Sequence, residues 1–187
     1  TYGFTENGLI VSGGSSGHLW AYNTSGQKVA RFIGHLSEVW SIATQGRWLV
    51  SGGSDQRIIL WDLKRLDEYR GRTLSIYPTL CVFVSSDDEW VAWTKSGYFT
   101  SSANGGDLIG WHVNQGYEKE ALWYSADKFY RLFYKPEFVR AVYKYGNEEL
   151  AKRYVTVREQ KVAEVLPPII ELAEPVQREF ATRSEEH

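Results

Sequence analysis

Short apolar runs separated by turns rich in Gly, Ser and Asp set the pattern of the first two thirds of the chain. Residues 48–62 show it in full. Trp48-Leu49-Val50 leads into Ser51-Gly52-Gly53-Ser54-Asp55, and Ile58-Ile59-Leu60-Trp61-Asp62 follows. An apolar strand, a tight polar turn and a second strand carrying a large aromatic predict paired β-strands. The polar residues of this unit hold the parts of a hydrogen-bond relay: His35, Ser51, Asp55 and Trp61 offer imidazole, hydroxyl, carboxylate and indole N–H.

The pattern recurs. Leu9-Ile10-Val11-Ser12-Gly13-Gly14-Ser15-Ser16 aligns with Trp48-Leu49-Val50-Ser51-Gly52-Gly53-Ser54-Asp55 at an offset of 39 residues. Carried forward at that offset, Tyr22-Asn23 takes the place of Trp61-Asp62 and Ser16 that of Asp55, so the first copy lacks the full relay. A third copy is more distorted. Residues 80–85 repeat the strand 39–44, Trp90-Val91-Ala92-Trp93 repeats 48–51, and Leu108-Ile109-Gly110-Trp111-His112 repeats 58–62, with 94–107 read as an insertion between strands. Trp20, Trp93 and Trp111 are the expected core aromatics of the two imperfect copies. A period of about 40 residues with strands and polar turns is the signature of propeller blades.

The unit from Gly34-His35 to Trp61-Asp62 resembles the WD-repeat family. That resemblance implies a mainly β chain: a partial WD-repeat β-propeller of about three blades over 1–125, an incomplete ring, followed by an α-helical extension over 126–166. It also implies a module that binds other macromolecules. In this family the narrow face near the start of each innermost strand is the usual contact surface, and Glu38 and Trp40 match that place. Alternation puts the two on one side of the strand. The other use of Trp40 is packing between neighbouring blades. A second resemblance covers the later half: Trp90 to Thr94, Gly97-Tyr98-Phe99, Ile109 to Asn114, Ala126 to Tyr130, Phe133 to Pro136 and Leu166-Pro167-Pro168 look like the propeller end of large bacterial WD-repeat proteins. Many of those carry a caspase-like peptidase domain, and often an immunoglobulin-like segment after the Pro-Pro.

Beyond Ser125 the pattern turns charged and helical. Ser125 is placed to cap a helix bearing Phe129, Leu132 and Phe133, with Asp127 in its first turn. Pro136 fits a helix start, Phe138, Val139 and Val142 give it an apolar face, and Gly146 a stop. Asn147 is a further cap, followed by a stripe of Leu150, Tyr154, Val157, Val162 and Val165 that ends at Pro167-Pro168. The density of Phe and Tyr here suits a helical cover over the propeller's end better than a cofactor box. Residues 167–187 read as a linker, a strand over 169–172 and a polar tail.

Composition narrows function more than fold. A net charge of −2 supplies no basic field, so neither nucleic acid nor a membrane surface is expected as partner. No run approaches the about 20 apolar residues of a membrane span, and no signal peptide opens the chain, so a cytoplasmic location is expected. The chain has no Met, and three copies fall short of the four or so blades that close a ring, so part of a larger propeller is expected. The lone Cys81 lies in an apolar run and reads as a packed thiol. Asp87-Asp88-Glu89 reads as a solvated turn and the Gly pairs as turns without a phosphate-loop lysine, so no metal, cofactor or catalytic residue is expected. The sequence therefore points to a non-catalytic protein-interaction or regulatory scaffold, whose partner is a protein or the remaining blades of the same or another chain. The alternative is the non-catalytic propeller part of a bacterial caspase-like protease.

Overall fold

The computed structural model describes residues 1–158 apart from 115, 118 and 119, and the side chain of Asp127 is outside that description. The expectations for Val162, Val165, the Pro-Pro break and the strand over 169–172 fall outside the described residues. In chain order the strands are β1 (Tyr2–Phe4), β2 (Ile10–Gly13), β3 (Leu19–Tyr22), β4 (Lys28–Phe32), β5 (Val39–Gln45), β6 (Trp48–Gly53), β7 (Ile58–Asp62), β8 (Leu74–Ile76), β9 (Leu80–Val84), β10 (Trp90–Trp93), β11 (Phe99–Ser101), β12 (Gly110–Val113) and β13 (Leu122–Ser125). Among the described residues three α-helices follow, α1 (Tyr130–Phe133), α2 (Pro136–Tyr145) and α3 (Glu148–Ala151).

These strands form two large sheets and a ribbon. β1 to β4 run as an antiparallel meander, and β8 adds in parallel to the outer edge of β4. The second sheet is antiparallel throughout, in the order β11-β10-β9-β7-β6-β5. Among the described residues β12 and β13 pair only with each other. The architecture is mainly β, a partial WD-type propeller with a small helical part at the end.

The assignment of strands to copies differs from expectation in the third copy. Its partner for β10 is Phe99–Ser101, inside the stretch read as an insertion, and Gly110–Val113 leaves the sheet to pair with β13. The cause is local. Thr94 and Gly97 close a tight turn, with Gly97 N–H donating to Thr94 O at 3.0 Å and Thr94 N–H to Tyr98 O at 2.9 Å, which returns the chain directly onto β10 and buries Phe99 completely. A short hairpin closes at less entropic cost than a long loop. The second and third copies therefore share one sheet through the β7–β9 pairing.

The two ends of the second sheet pack into different cores. Val39, Leu49, Ile59 and Trp61 meet Val11, Leu19, Ala21, Ala30 and Phe32 of the first sheet. Toward the β9–β11 end Leu80, Val91 and Phe99 pack with Phe129, Phe133, Phe138 and Val142, where α2 lies against β9 and β11. Each large side chain buried there contributes about 1.5–3 kcal/mol. Of the expected core tryptophans, Trp20 is a correction. Leu19 and Ala21 take the inward positions of β3, so Trp20 lies half-buried on the outer face with the Lys28 ammonium 4.1 Å from its ring centroid.

The helical part starts later than its apolar pattern, and among the described residues its last helix ends at Ala151. Ser125 ends β13, and a 3-10 turn over Ala126–Phe129 precedes α1. Pro136 opens α2, Gly146 ends it in the left-handed conformation, and Asn147 caps α3 by accepting from Leu150 N–H at 2.8 Å. α3 is a single turn. The run Val155-Thr156-Val157 is β-branched and poor in helix propensity, and Tyr154 instead stacks on Tyr145 with centroids 4.1 Å apart.

Candidate functional site

The structure brings His35, Ser51, Asp55 and Trp61 into one connected chain of hydrogen bonds. His35 Nδ1 lies 3.0 and 3.1 Å from the Asp55 carboxylate oxygens, and its Nε2 lies 2.8 Å from Ser51 Oγ. Trp61 Nε1–H donates to the same Oγ at 2.8 Å. An ionised carboxylate only accepts and an indole only donates, so with a neutral imidazole every proton in the chain is placed. Trp61 N–H donates to Ser51 Oγ, Ser51 O–H to His35 Nε2, and His35 Nδ1–H to Asp55.

Ser51, His35 and Asp55 thus make the pairwise contacts of a hydrolytic triad, and burial decides what they do. Ser51 is 1% exposed and its oxygen already receives the indole proton, so no substrate carbonyl reaches it. The groups tie the loop before β5 to β6 and β7. Gly53 is part of that fit: a β-carbon there would sit 2.7 Å from Glu38 O and 2.9 Å from His35 Nδ1.

Asp55 anchors the loop a second time. Its carboxylate accepts from Leu36 N–H at 2.9 Å and from Arg57 Nη2 at 2.6 Å, and Arg57 also donates to Gly34 O at 2.8 Å. Burial by itself would raise the Asp55 carboxyl. The Leu36 N–H, the Arg57 side chain and His35 outweigh it and hold the group at about 2. With its folded value below the ordinary carboxylate value near 4, the ionised Asp55 stabilises the fold fully above that value, by about 2 kcal/mol, and the contribution disappears as pH falls toward 2. Asp55→Asn is therefore expected to lower stability most at pH 6 and progressively less between pH 4 and pH 2.5, measured by urea unfolding at each pH. A destabilisation that does not shrink on acidification would contradict this account.

The anchored loop carries exposed side chains. Leu36, Glu38 and Trp40 all face solvent, with Trp40 64% exposed, so among the described residues Trp40 is not packed between sheets. Simple alternation does not explain this. Val39 pairs with Gly53 and Ser41 with Gly52, which leaves Trp40 as the extra residue of a bulge, and Trp40 and Ser41 are both exposed. A bulge re-aims the side chain it carries. The loop is braced further by Ser54 N–H donating to Glu38 O at 2.8 Å and Ser54 Oγ to Ser37 Oγ at 2.7 Å.

Two features escape the sequence pattern. Asp62 is bonded to Arg47, through Nε at 3.1 Å, and Arg47 also donates to Lys144 O and Tyr145 O at the end of α2. Glu89, read as part of a solvated turn, accepts from Asn104 N–H at 3.1 Å and Asn104 Nδ2 at 2.7 Å, joining the β9–β10 turn to the segment after β11. The hydroxyl of Ser102 and the neighbouring Asn104 hold its carboxyl below the usual range. Asp87 is likewise lowered by the Ser85 hydroxyl. Cys81 is buried, which pushes its thiol up to about 11 and keeps it protonated at neutral pH, the state of a packed side chain. Among the described residues, no group of three or more His, Cys, Asp or Glu is placed to hold a metal ion, and no helix is long and apolar enough to cross a membrane.

Residues 26–62, the span that contains the relay, match the family "WD domain, G-beta repeat". The LEC14B protein of Lithospermum erythrorhizon is 31% identical over 77 residues, which is 37% of this chain and 16% of that protein. The chain thus spans a small part of the length of this curated relative. Among solved structures, the computationally designed Ika8 and Ika4 proteins are each 23% identical, covering 54% of this chain and 31% and 62% of theirs, with TM-scores of 0.34 and 0.31. The structure of U3-55K is 18% identical over 54% of this chain and 35% of its own, with a TM-score of 0.34.

Proposed function

We propose that this chain is a non-catalytic protein-interaction scaffold, part of a larger WD-repeat protein, and that Glu38 and Trp40 form its contact surface. The observation that carries the reading is the combination at one loop: a large amphipathic ring is turned outward by a bulge while His35 and Asp55 pin the loop that leads into it. A fixed aromatic costs little entropy to bind with, and Trp is among the residues that dominate interface energies. The relay has a structural role in this reading, and its Ser and His have none in catalysis. In this reading the blades occupy 1–125 and the helical extension follows from 126. Partners are another protein or further blades, without nucleic acid or membrane, in the cytoplasm.

The test is the pair Glu38→Ala and Trp40→Ala made together. Both side chains are exposed, so the melting temperature is expected to stay within the effect of ordinary surface changes, about 0.5 kcal/mol, while capture of the partner from the source cell is lost. A lowered melting temperature with capture retained in the folded fraction would assign Trp40 to packing.

The resemblance to the propeller end of bacterial WD-repeat proteins, which runs through Ala126 to Tyr130 and Phe133 to Pro136, supports a second reading. There the chain is the non-catalytic propeller of a caspase-like protease, recruiting substrate or restraining the peptidase. The full-length gene separates the two by encoding a His/Cys peptidase domain or not.

A further inference from the structure

A recess away from the relay forms where the turn after β10, the loop before β9 and the β12–β13 ribbon meet. It has a volume of about 520 Å³, and Tyr77, Trp93, Trp111 and Trp123 are among its walls. That volume lies in the range of about 300–1,000 Å³ typical of ligand sites. It opens to solvent: Tyr77 is 54% and Trp123 60% exposed.

The polar groups of this recess decide what fits. Among the described residues Lys95 is its one charged lining residue, and the ammonium lies 5.2 Å from the Tyr77 ring centroid with no ion pair. Trp111 Nε1, 3.3 Å from where a β-carbon on Gly97 would lie, has no acceptor among the described residues. The Thr94 hydroxyl is buried and likewise has no partner among the described residues. Aromatic walls by themselves would suit a cation, with a gain of about 0.5–2 kcal/mol. The fixed positive charge of Lys95 at the wall reverses that preference, and ammonium and indole are donors only. The complementary ligand is apolar or aromatic at its centre and carries a carboxylate beside it.

We propose that this recess docks a short acidic peptide of a partner protein, with an aromatic side chain entering against Trp123 and a neighbouring carboxylate meeting Lys95 and Trp111 Nε1. The assignment rests on the reading of the chain as an interaction module, but it uses a surface separate from Glu38 and Trp40.

The test uses fluorescein-labelled peptides Gly-Ser-Asp-Phe-Glu-Ser-Gly, its Lys-Phe-Lys counterpart and its Asp-Ala-Glu counterpart, titrated against the 187-residue chain by fluorescence anisotropy. The Asp-Phe-Glu peptide is expected to bind and the other two to bind at least about tenfold more weakly. Lys95→Glu should lose about tenfold for Asp-Phe-Glu and gain for Lys-Phe-Lys, and Trp123→Ala should lose about tenfold with an unchanged circular dichroism spectrum. No saturable binding by the unaltered chain, equal binding of the Lys-Phe-Lys peptide, or unaltered binding by both variants would each overturn the proposal. The variant with Glu38 and Trp40 replaced should bind the peptide normally. If it does while partner capture is insensitive to those two residues, the Glu38 and Trp40 surface fails and the recess stands; if it does not, the recess has been misplaced.

Discussion

Trp61→Ala is expected to cost about 3–5 kcal/mol, enough to unfold most of the population of a domain of ordinary stability. Trp61 is fully buried between the two sheets and meets Phe32 edge to face, with ring centroids 5.4 Å apart, so its removal opens a cavity at the point where the sheets join. Trp61→Phe separates volume from polarity. It keeps most of the ring but removes the N–H donor to Ser51, and the expected loss is about 1–2 kcal/mol. Ser51→Ala in both backgrounds completes the cycle. With Trp61 present it strands a buried indole N–H and the Nε2 lone pair of His35; with Phe in place only the second loss remains, so the two changes should couple by about 1 kcal/mol in urea unfolding. Equal costs of Ser51→Ala in the two backgrounds would remove the indole from the relay.

The relay and the clasp at the end of α2 differ in how far sequence reaches them. His35, Ser51, Asp55 and Trp61 lie within one repeat, and turn spacing with strand alternation fixes where each side chain goes, so the residue types and the pattern carry the information. Trp40 was legible as a surface candidate, but the reason for its exposure was not, because a bulge leaves no mark in the alternation of Val39-Trp40-Ser41. The third copy misleads for a related reason. Phe99-Thr100-Ser101 is short and only one of its residues is strongly apolar, while Leu108 to His112 has the composition of a strand; the tight turn at Gly97 decides the pairing instead. Arg47 had no signal at all. Its carbonyl partners on α2 lie 97 and 98 residues away, and only the packing of α2 against β9 and β11 brings them into reach.

Arg47→Ala is expected to cost about 3 kcal/mol and to loosen α2 more than the sheets. The Asp62 side chain is 6% exposed and sits 2.5 Å from Arg47 Nη2, so removing the guanidinium leaves a buried carboxylate that, among the described residues, has only Lys64 N–H, at 3.0 Å, to stabilise it. The same change strips the donor from Lys144 O and Tyr145 O, carbonyls at the helix end that have no intrahelical partner. Two further contacts hold the junction: Trp48 stacks on Tyr143 at 5.2 Å, and Thr79 Oγ1 donates to Gly146 O at 3.0 Å. Gly146 itself has φ of 91°, and a β-carbon there would fall 2.1 Å from Asp62 Oδ2, so the helix stop and the ion pair fit only together. Arg47→Lys should recover less than half of the loss, since one ammonium cannot serve both carboxylate oxygens and two carbonyls. Hydrogen exchange resolved along the chain is the readout, with α2 amides such as those of Val139 and Val142 losing protection before the β6 and β7 amides do. Protection of α2 that falls only in step with the sheets would mean that Arg47 stabilises the whole fold without joining the helix to it.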